Sequence, residues 1–361
     1  MLFAILKLKI FKRYNLIGVF TEVEYAIRSL MKILSEISYK ESYLGSDLPS
    51  GIVDETSYIN YEGEIDRCEP LDEFGYLDSS SRIINVRGAN LYFASLYAND
   101  NGKHILIPLD ASIPFIAIKG SSEVINKVKD LGFIVTENVN HVQYSVNYKD
   151  DNILDELRIS LENYAINHAK SKVLIVDGPI FPGPYTKIIG EPYKSAFETL
   201  NIKRRTDNLI GIVKRLSFTR KLSREENIAK KYKKLVDIGA TDDIIVFEMS
   251  KGFDKFISPI YKEEVEILKN KFYRYMVYIK VRNSVFRVES RNKELLCQGV
   301  WTSIKSTSIR GIPTFIEVAD KISKRLSAST YLISFINAMS LMEVNYDDWN
   351  RYIEAMRDLS E

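Results

Sequence analysis

Histidine, cysteine and glutamine are scarce in this 361-residue chain, and each shortage narrows what it can do. The three histidines, His104, His141 and His168, are scattered. A metal centre built on clustered imidazoles is therefore hard to assemble, and any catalytic metal must lean on carboxylates, which suit magnesium or manganese better than zinc. The two cysteines, Cys68 and Cys297, have no ligand-like spacing and no histidine nearby. That argues against a disulfide framework or a structural zinc and for reduced thiols in a cytoplasmic protein. Only two glutamines occur, Gln143 and Gln298, against abundant Lys, Ile, Glu and Tyr, a bias that fits a thermophile. No uncharged run reaches the length of a membrane span. The apolar start, Met1 to Phe11, is interrupted by Lys7 and Lys9, and no small-residue cleavage site follows, so it does not read as a signal peptide. It reads instead as an edge strand, a docking segment or, preferentially, a stretch buried in its own domain. No glycine-rich phosphate loop of the Walker or dinucleotide type is present, which ranks a nucleotide- or sugar-handling enzyme last. Fifty basic residues against forty-eight acidic ones give a net charge of +2, so any polyanion must be met by local rather than global positive charge.

What is present is a periodic globular chain, 45% hydrophobic, without repeats or low-complexity runs. Thr21 to Ser38 has helical periodicity, with Thr21 as a candidate cap, and residues 39 to 73 read as an irregular connection. Strands are expected at Phe74–Leu77, Asn90–Ala98, Ile105–Leu109, Phe115–Ile118, Phe133–Thr136, Lys172–Val176 and Leu209–Val213. Further strands are expected at Ile244–Glu248, Tyr273–Val281 and Val285–Val288. Helices are expected at Glu123–Leu131, Asp151–Ala169, Arg224–Val236, Ile316–Leu326, Thr330–Met342 and Tyr346–Glu361, the last with Trp349, Tyr352 and Met356 inward. This mixture predicts a mixed-sheet α/β or α+β domain.

Two acids end apolar runs: Asp78 after FGYL and Asp177 after VLIV, each followed by small residues. Ligands gather at strand ends in open α/β sheets, and two facing carboxylates can hold the divalent ions that drive phosphodiester cleavage. Either acid alone reads as a turn residue, Glu162 alone as a solvated helix residue, and Lys214 alone as a surface lysine.

The order of the segments adds to this. RISLENYAINHAKSKVLIVDGPI (Arg158–Ile180) resembles the stretch of NurA nucleases in which a helix bearing Leu-Glu leads into a strand ending in Asp-Gly. LIGIVKRLSFTRKL (Leu209–Leu222) resembles their next strand, ending in Val-Lys. YLDSSSR (Tyr76–Arg82) looks like the first acidic motif, and GIPTFIEVADKISKRL (Gly311–Leu326) like the C-terminal Gly-aromatic-Pro segment and its helix. An alternative alignment of the first motif onto Val86-Arg87-Gly88-Ala89 leaves too short a step to the following strand. The resemblance implies an α/β fold with an RNase H-like mixed-sheet core flanked by helices and with N- and C-terminal helical extensions. It implies a boundary plan of 1–73 (helix and connection), 74–345 (nuclease domain) and 346–361 (terminal helix). It also implies a homodimer acting on DNA with a HerA-like hexameric ATPase, using Mn2+ or Mg2+. Asp78 and Asp177 become metal ligands, Glu162 a third acid near the metals, and Lys214 a phosphate contact. Ile312 stands where an aromatic is expected, and Asp320 where some relatives carry a histidine, leaving Asp320 as a hard-cation ligand. These departures raise the alternative of a weakened subunit that binds DNA or docks the ATPase. The basic residues Arg204, Arg205, Lys214, Arg215, Arg220 and Lys221 become candidates for a DNA groove with salt-dependent, sequence-tolerant binding.

Overall fold

The computed structural model describes residues 16–36, 58–110, 113–145, 147–182, 190–216, 219–341 and 344–360. The segment Met1–Phe11 and most of the expected connection lie outside these residues. Helix α1 (Leu16–Glu36) comes first, followed by strands β1 (Ile59–Gly63), β2 (Gly75–Val86), β3 (Ala89–Asp100), β4 (Lys103–Ile107) and β5 (Ile116–Gly120). Then come α2 (Ser122–Val128), β6 (Ile134–Val135), α3 (Asp150–His168), β7 (Leu174–Asp177), α4 (Tyr193–Ile202) and β8 (Leu209–Val213). Three short helices follow: α5 (Glu226–Lys231), α6 (Lys233–Asp237) and α7 (Asp242–Met249). The chain ends with β9 (Lys255–Ile257), β10 (Ile260–Ile267), β11 (Asn270–Val281), β12 (Ser284–Ser290), α8 (Lys293–Lys305), α9 (Thr314–Leu341) and α10 (Tyr346–Ser360).

The strands form one mixed sheet in the order β1-β10-β11-β12-β8-β7-β2-β3-β5-β6, with β4 on β3 and β9 on β11. Its centre is the parallel trio β2, β7 and β8, flanked by antiparallel hairpins. The apolar runs LIVD and LIGIV of β7 and β8 suit a position covered on both faces. β2 and β3 are joined by the two-residue turn Arg87-Gly88, in which Gly88 takes φ +83°, a left-handed value that glycine adopts without strain. The Val86–Ala89 segment, the alternative first motif, is thus simply this hairpin turn.

Alternation along β2 decides which helix meets which residue. Asp78 and Ser80 face α9: Ser323 Oγ donates to Asp78, and the hydroxyls of Ser80 and Ser327 lie 3.1 Å apart. Ser79 faces the other way and donates to Glu162 of α3 at 2.5 Å. Helix α9 therefore covers one face of the sheet centre and α3 the other. α8 and the start of α9 extend the first layer over β8, β12 and β11, where Leu296, Val300, Phe315 and Ile316 pack on Ile210, Ile212, Phe286 and Val288. α1 packs on α9 through a stripe including Ile27, Leu30 and Leu34.

Several expectations are corrected. Asp78 is the fourth residue of a twelve-residue strand rather than the residue after a short one. Ile244–Glu248 is helical (α7), and the two expected helices from Ile316 to Met342 are one helix, α9. The helix expected over Arg224–Val236 is broken into a 3-10 turn, α5 and α6. Residues 59–63, assigned to an irregular connection, add a strand to the sheet edge. Cys68 and Cys297, expected as free thiols, form a disulfide that fastens the segment before β2 to α8. No helix among the described residues is long and apolar enough to cross a membrane.

Candidate active site

The parallel pairing of β2 with β7 matches Leu77 to Val176, which sets Asp78 and Asp177 side by side one step further on. β7 pairs with β8 so that Asp177 lies beside Ile212, and Lys214 follows two positions later on the same face. Three neighbouring strands thus deliver two carboxylates and an ammonium to one patch, and α9 lays Asp320 over it. Carboxylate oxygens of Asp78, Asp177 and Asp320 all lie within 4.8 Å of one another. Lys214 Nζ sits 2.5 Å from Asp177 Oδ2 and 3.1 Å from Asp320 Oδ1. Lys324 Nζ holds Asp320 Oδ2 at 2.7 Å, one helical turn away. Ser323 Oγ donates to Asp78 Oδ2 at 2.7 Å.

The chain turns away sharply after Asp177. Gly178 takes φ +132°, open to glycine alone without strain, and its carbonyl crosses directly over Gly211 of β8. A Cβ on Gly211 would stand 2.6 Å from that carbonyl oxygen, so both glycines are needed for the close crossing.

Burial pushes the Asp78 carboxyl well above its ordinary range, with Asp177 and Asp320 adding to the effect against the Ser323 hydrogen bond and Lys214. Burial also pushes Asp177 up to about 6, opposed by Lys214 and reinforced by Asp320 and Glu162. Burial raises Asp320 less than Lys324 and Lys214 lower it, so it stays below the usual range. Burial would lower Lys214, but Asp177, Asp320 and Asp78 hold it above the usual amine value. Three carboxylates against two ammonium groups leave one negative charge in excess when all are ionised. Carboxylates that resist full ionisation in this way are favoured in their charged form by a further cation beside them. The donors are all hard carboxylate oxygens, which fits a divalent ion of the magnesium or manganese kind.

The other candidates divide. Glu162 is not among the converging acids; it lies on the α3 side, bonded by Ser79 and paired with Arg204 at 2.9 Å. Arg204 is buried in that pair, and Lys221 is buried against Glu263 at 2.6 Å, so neither presents its charge to a polyanion. These two DNA-contact assignments are corrected: both cations neutralise internal acids. Arg205, Arg215 and Arg220 are exposed. Ile312 is half-buried and packs into the apolar layer under α8 and α9. Ser323 and Lys324 escaped notice in the sequence because a serine and a lysine inside a helix carry no signal until a neighbour from another element is known.

This is the architecture of an α/β protein with a cluster of converging carboxylates at the middle of a mixed sheet. The chain belongs to the NurA domain family, whose model matches residues 77–325, more than two thirds of its length. It is similar to the crystal structure of the NurA nuclease from Sulfolobus solfataricus, with 14% identity and a TM-score of 0.40, covering 74% of this chain and 82% of that one. It is also similar to the crystal structure of NurA bound to dAMP and manganese, with 9% identity and a TM-score of 0.35, covering 72% and 86% respectively. No curated protein matches the chain significantly.

Proposed function

We propose that this chain is a metal-dependent deoxyribonuclease that hydrolyses phosphodiester bonds at DNA ends, of the 5'-3' exonuclease and single-strand endonuclease type. The observation that carries the reading is the convergence of Asp78, Asp177 and Asp320 with Lys214 inside the family-matched region. Asp78, Asp177 and Asp320 would hold Mn2+, with Mg2+ as the alternative. Such an ion supplies an activated water and offsets charge on the phosphodiester. Lys214 offers a cation beside the same carboxylates, suited to a phosphate oxygen as its charge grows. Exposed Arg215 and Arg220 follow β8 and exposed Arg205 precedes it; these side chains would meet the backbone rather than base edges, giving sequence-tolerant binding that weakens with salt. Glu162 tunes the site through its charge on Asp177 rather than as a ligand. In this reading the protein works as a homodimer with a HerA-like hexameric ATPase in end resection for recombinational repair.

The test is cleavage of end-labelled single- and double-stranded DNA with manganese, magnesium or EDTA. Wild type should cut only with metal, and Asp177→Ala should lose orders of magnitude in rate. Undiminished metal-dependent cutting by Asp177→Ala would refute the site. Ile312, which offers no hydroxyl, favours a second reading: a non-cleaving subunit that binds DNA or docks the ATPase. Absence of cleavage by wild type, alone and with the ATPase, would select it.

A further inference from the structure

A carboxylate has two oxygens, and where one is gripped by a neighbouring side chain the other is the one left to meet a cation. For Asp78 that grip comes from Ser323, 245 positions away in sequence. A helix serine ordinarily turns its hydroxyl back onto a carbonyl of the preceding turn, and Ser323 Oγ does lie 3.1 Å from Asp320 O. A hydroxyl has one proton, however, and the Asp78 Oδ2 carboxylate oxygen is both nearer, at 2.7 Å, and charged when ionised. Ser323 is wholly buried. Its carbonyl is itself held, accepting from Ser95 Oγ of β3 at 2.8 Å. One turn later, Ser327 meets Ser80 and accepts from Arg82 Nε at 3.3 Å. The depth at which α9 sits on β2 and β3 is thus fixed at two successive turns, and Ser323 is fixed with it.

We infer that Ser323 is a positioning residue: its hydroxyl ties Oδ2 of Asp78 and thereby turns Oδ1 toward Asp177 and Asp320 as the oxygen that meets the cation. This rests on the reading of the three acids as a cation site. Partners that hold a ligand's second atom contribute about ten- to a hundredfold to metal affinity. Packing alone gives no such dependence, because Ser→Ala removes a single buried oxygen and leaves the helix seated.

The experiment is Mn2+ binding to the full chain, without DNA, followed by electron paramagnetic resonance of the free ion, with thermal unfolding in parallel. Wild type, Ser323→Ala, Ser323→Thr and Asp177→Ala are compared. We expect Ser323→Ala to stay folded and weaken Mn2+ binding about tenfold or more, Ser323→Thr to restore most of it, and Asp177→Ala to lose it. Wild-type affinity in folded Ser323→Ala, with binding lost in Asp177→Ala, overturns the positioning role and leaves the cation site standing. Binding unaffected by Asp177→Ala, or none by wild type, overturns both. If Ser323→Ala does not fold, Ser323→Cys takes its place; it keeps the bulk and donates weakly. An intermediate affinity then supports the role, and wild-type affinity overturns it.

Discussion

At Glu156 two tyrosines aim their hydroxyls at one buried carboxylate. Tyr144 donates to Oε2 at 3.0 Å and Tyr148 to Oε1, while Asn138 supports the Tyr148 hydroxyl at 3.0 Å. Burial nevertheless prevails over these bonds and lifts the Glu156 pKa from 4.5 to about 7. The folded protein therefore keeps a proton that the unfolded chain releases between these values, and stability falls as pH rises through that window. At about 1.4 kcal/mol per unit, the loss is of order 3 kcal/mol. Glu156→Gln, neutral at every pH, removes this slope. Its Tm relative to wild type should rise between pH 5 and pH 8, and a difference that stays constant over that range would refute the assignment. Glu156 attracted no attention in the sequence: a glutamate on an amphipathic helix looks solvated until its two tyrosines, contributed by a loop before α3, are in place. Asp78 and Asp177 were legible as individuals because small-residue neighbours and apolar runs framed them. Asp320 was legible only through family resemblance.

The elements show where local pattern suffices. β8 runs from Leu209 to Val213 as its apolar composition predicts, since a strand covered on both faces needs nothing beyond a short hydrophobic run. α7 defeats the same logic. Ile244, Ile245 and Val246 suggest a strand, but the Asp242 carboxylate accepts from the Leu222 amide at 2.9 Å, Thr219 at 2.7 Å and Tyr278 at 2.8 Å. Those tertiary bonds fix the start of a helix against β-branched propensity. In α9 the serine-rich stretch after Leu326 looks like a break. Ser327 instead bonds to the Lys324 carbonyl and to Ser80, and Ser329 to the Arg325 carbonyl, so the small side chains permit close packing of an unbroken helix. The crossing of Gly178 over β8 offers a test at this scale. In Gly211→Ala the new Cβ meets backbone atoms at 2.6 and 2.9 Å, which cannot swing aside as a side chain would. We expect a loss of about 1–3 kcal/mol in stability and a fall in cleavage rate as Asp177 shifts. Gly132→Ala, where nothing lies within 4 Å, should leave the rate unchanged. Equal rates in both variants would show that the crossing does not position the acid.

For the whole molecule, two features bind distant parts of the chain. On the face of the sheet away from the carboxylates, Arg274 bridges Glu263 and Glu289, Arg287 joins Glu289 at 2.7 Å, and Lys221 reaches Glu263. These charges are buried and paired with one another, which accounts for Lys221, a basic residue that a linear reading assigns to DNA. The disulfide closes a loop across 229 positions, tying the segment before β2 to α8, where Trp301 Nε1 also donates to the Asp66 carbonyl at 3.0 Å. Restricting so long a loop in the unfolded chain stabilises the fold, so Cys297→Ser should cost about 2–5 kcal/mol. Dithiothreitol should lower the wild-type Tm toward that of the variant and leave the variant unmoved; a reductant-insensitive wild type would contradict this.

The sequence by itself determined the mixed α/β class, the apolar strands at the sheet centre, the reliance on carboxylates in a chain short of histidine, and the ordered family segments. These follow from composition and periodicity, which act locally. The tertiary structure alone decided that Asp78 lies mid-strand beside Asp177, that Ser323 grips it, that Glu162 turns to the opposite face, that Arg204 and Lys221 are spent on internal acids, and that Cys68 meets Cys297. Each of these depends on strand register or on which helix covers which face, and neither is encoded in any short stretch of chain.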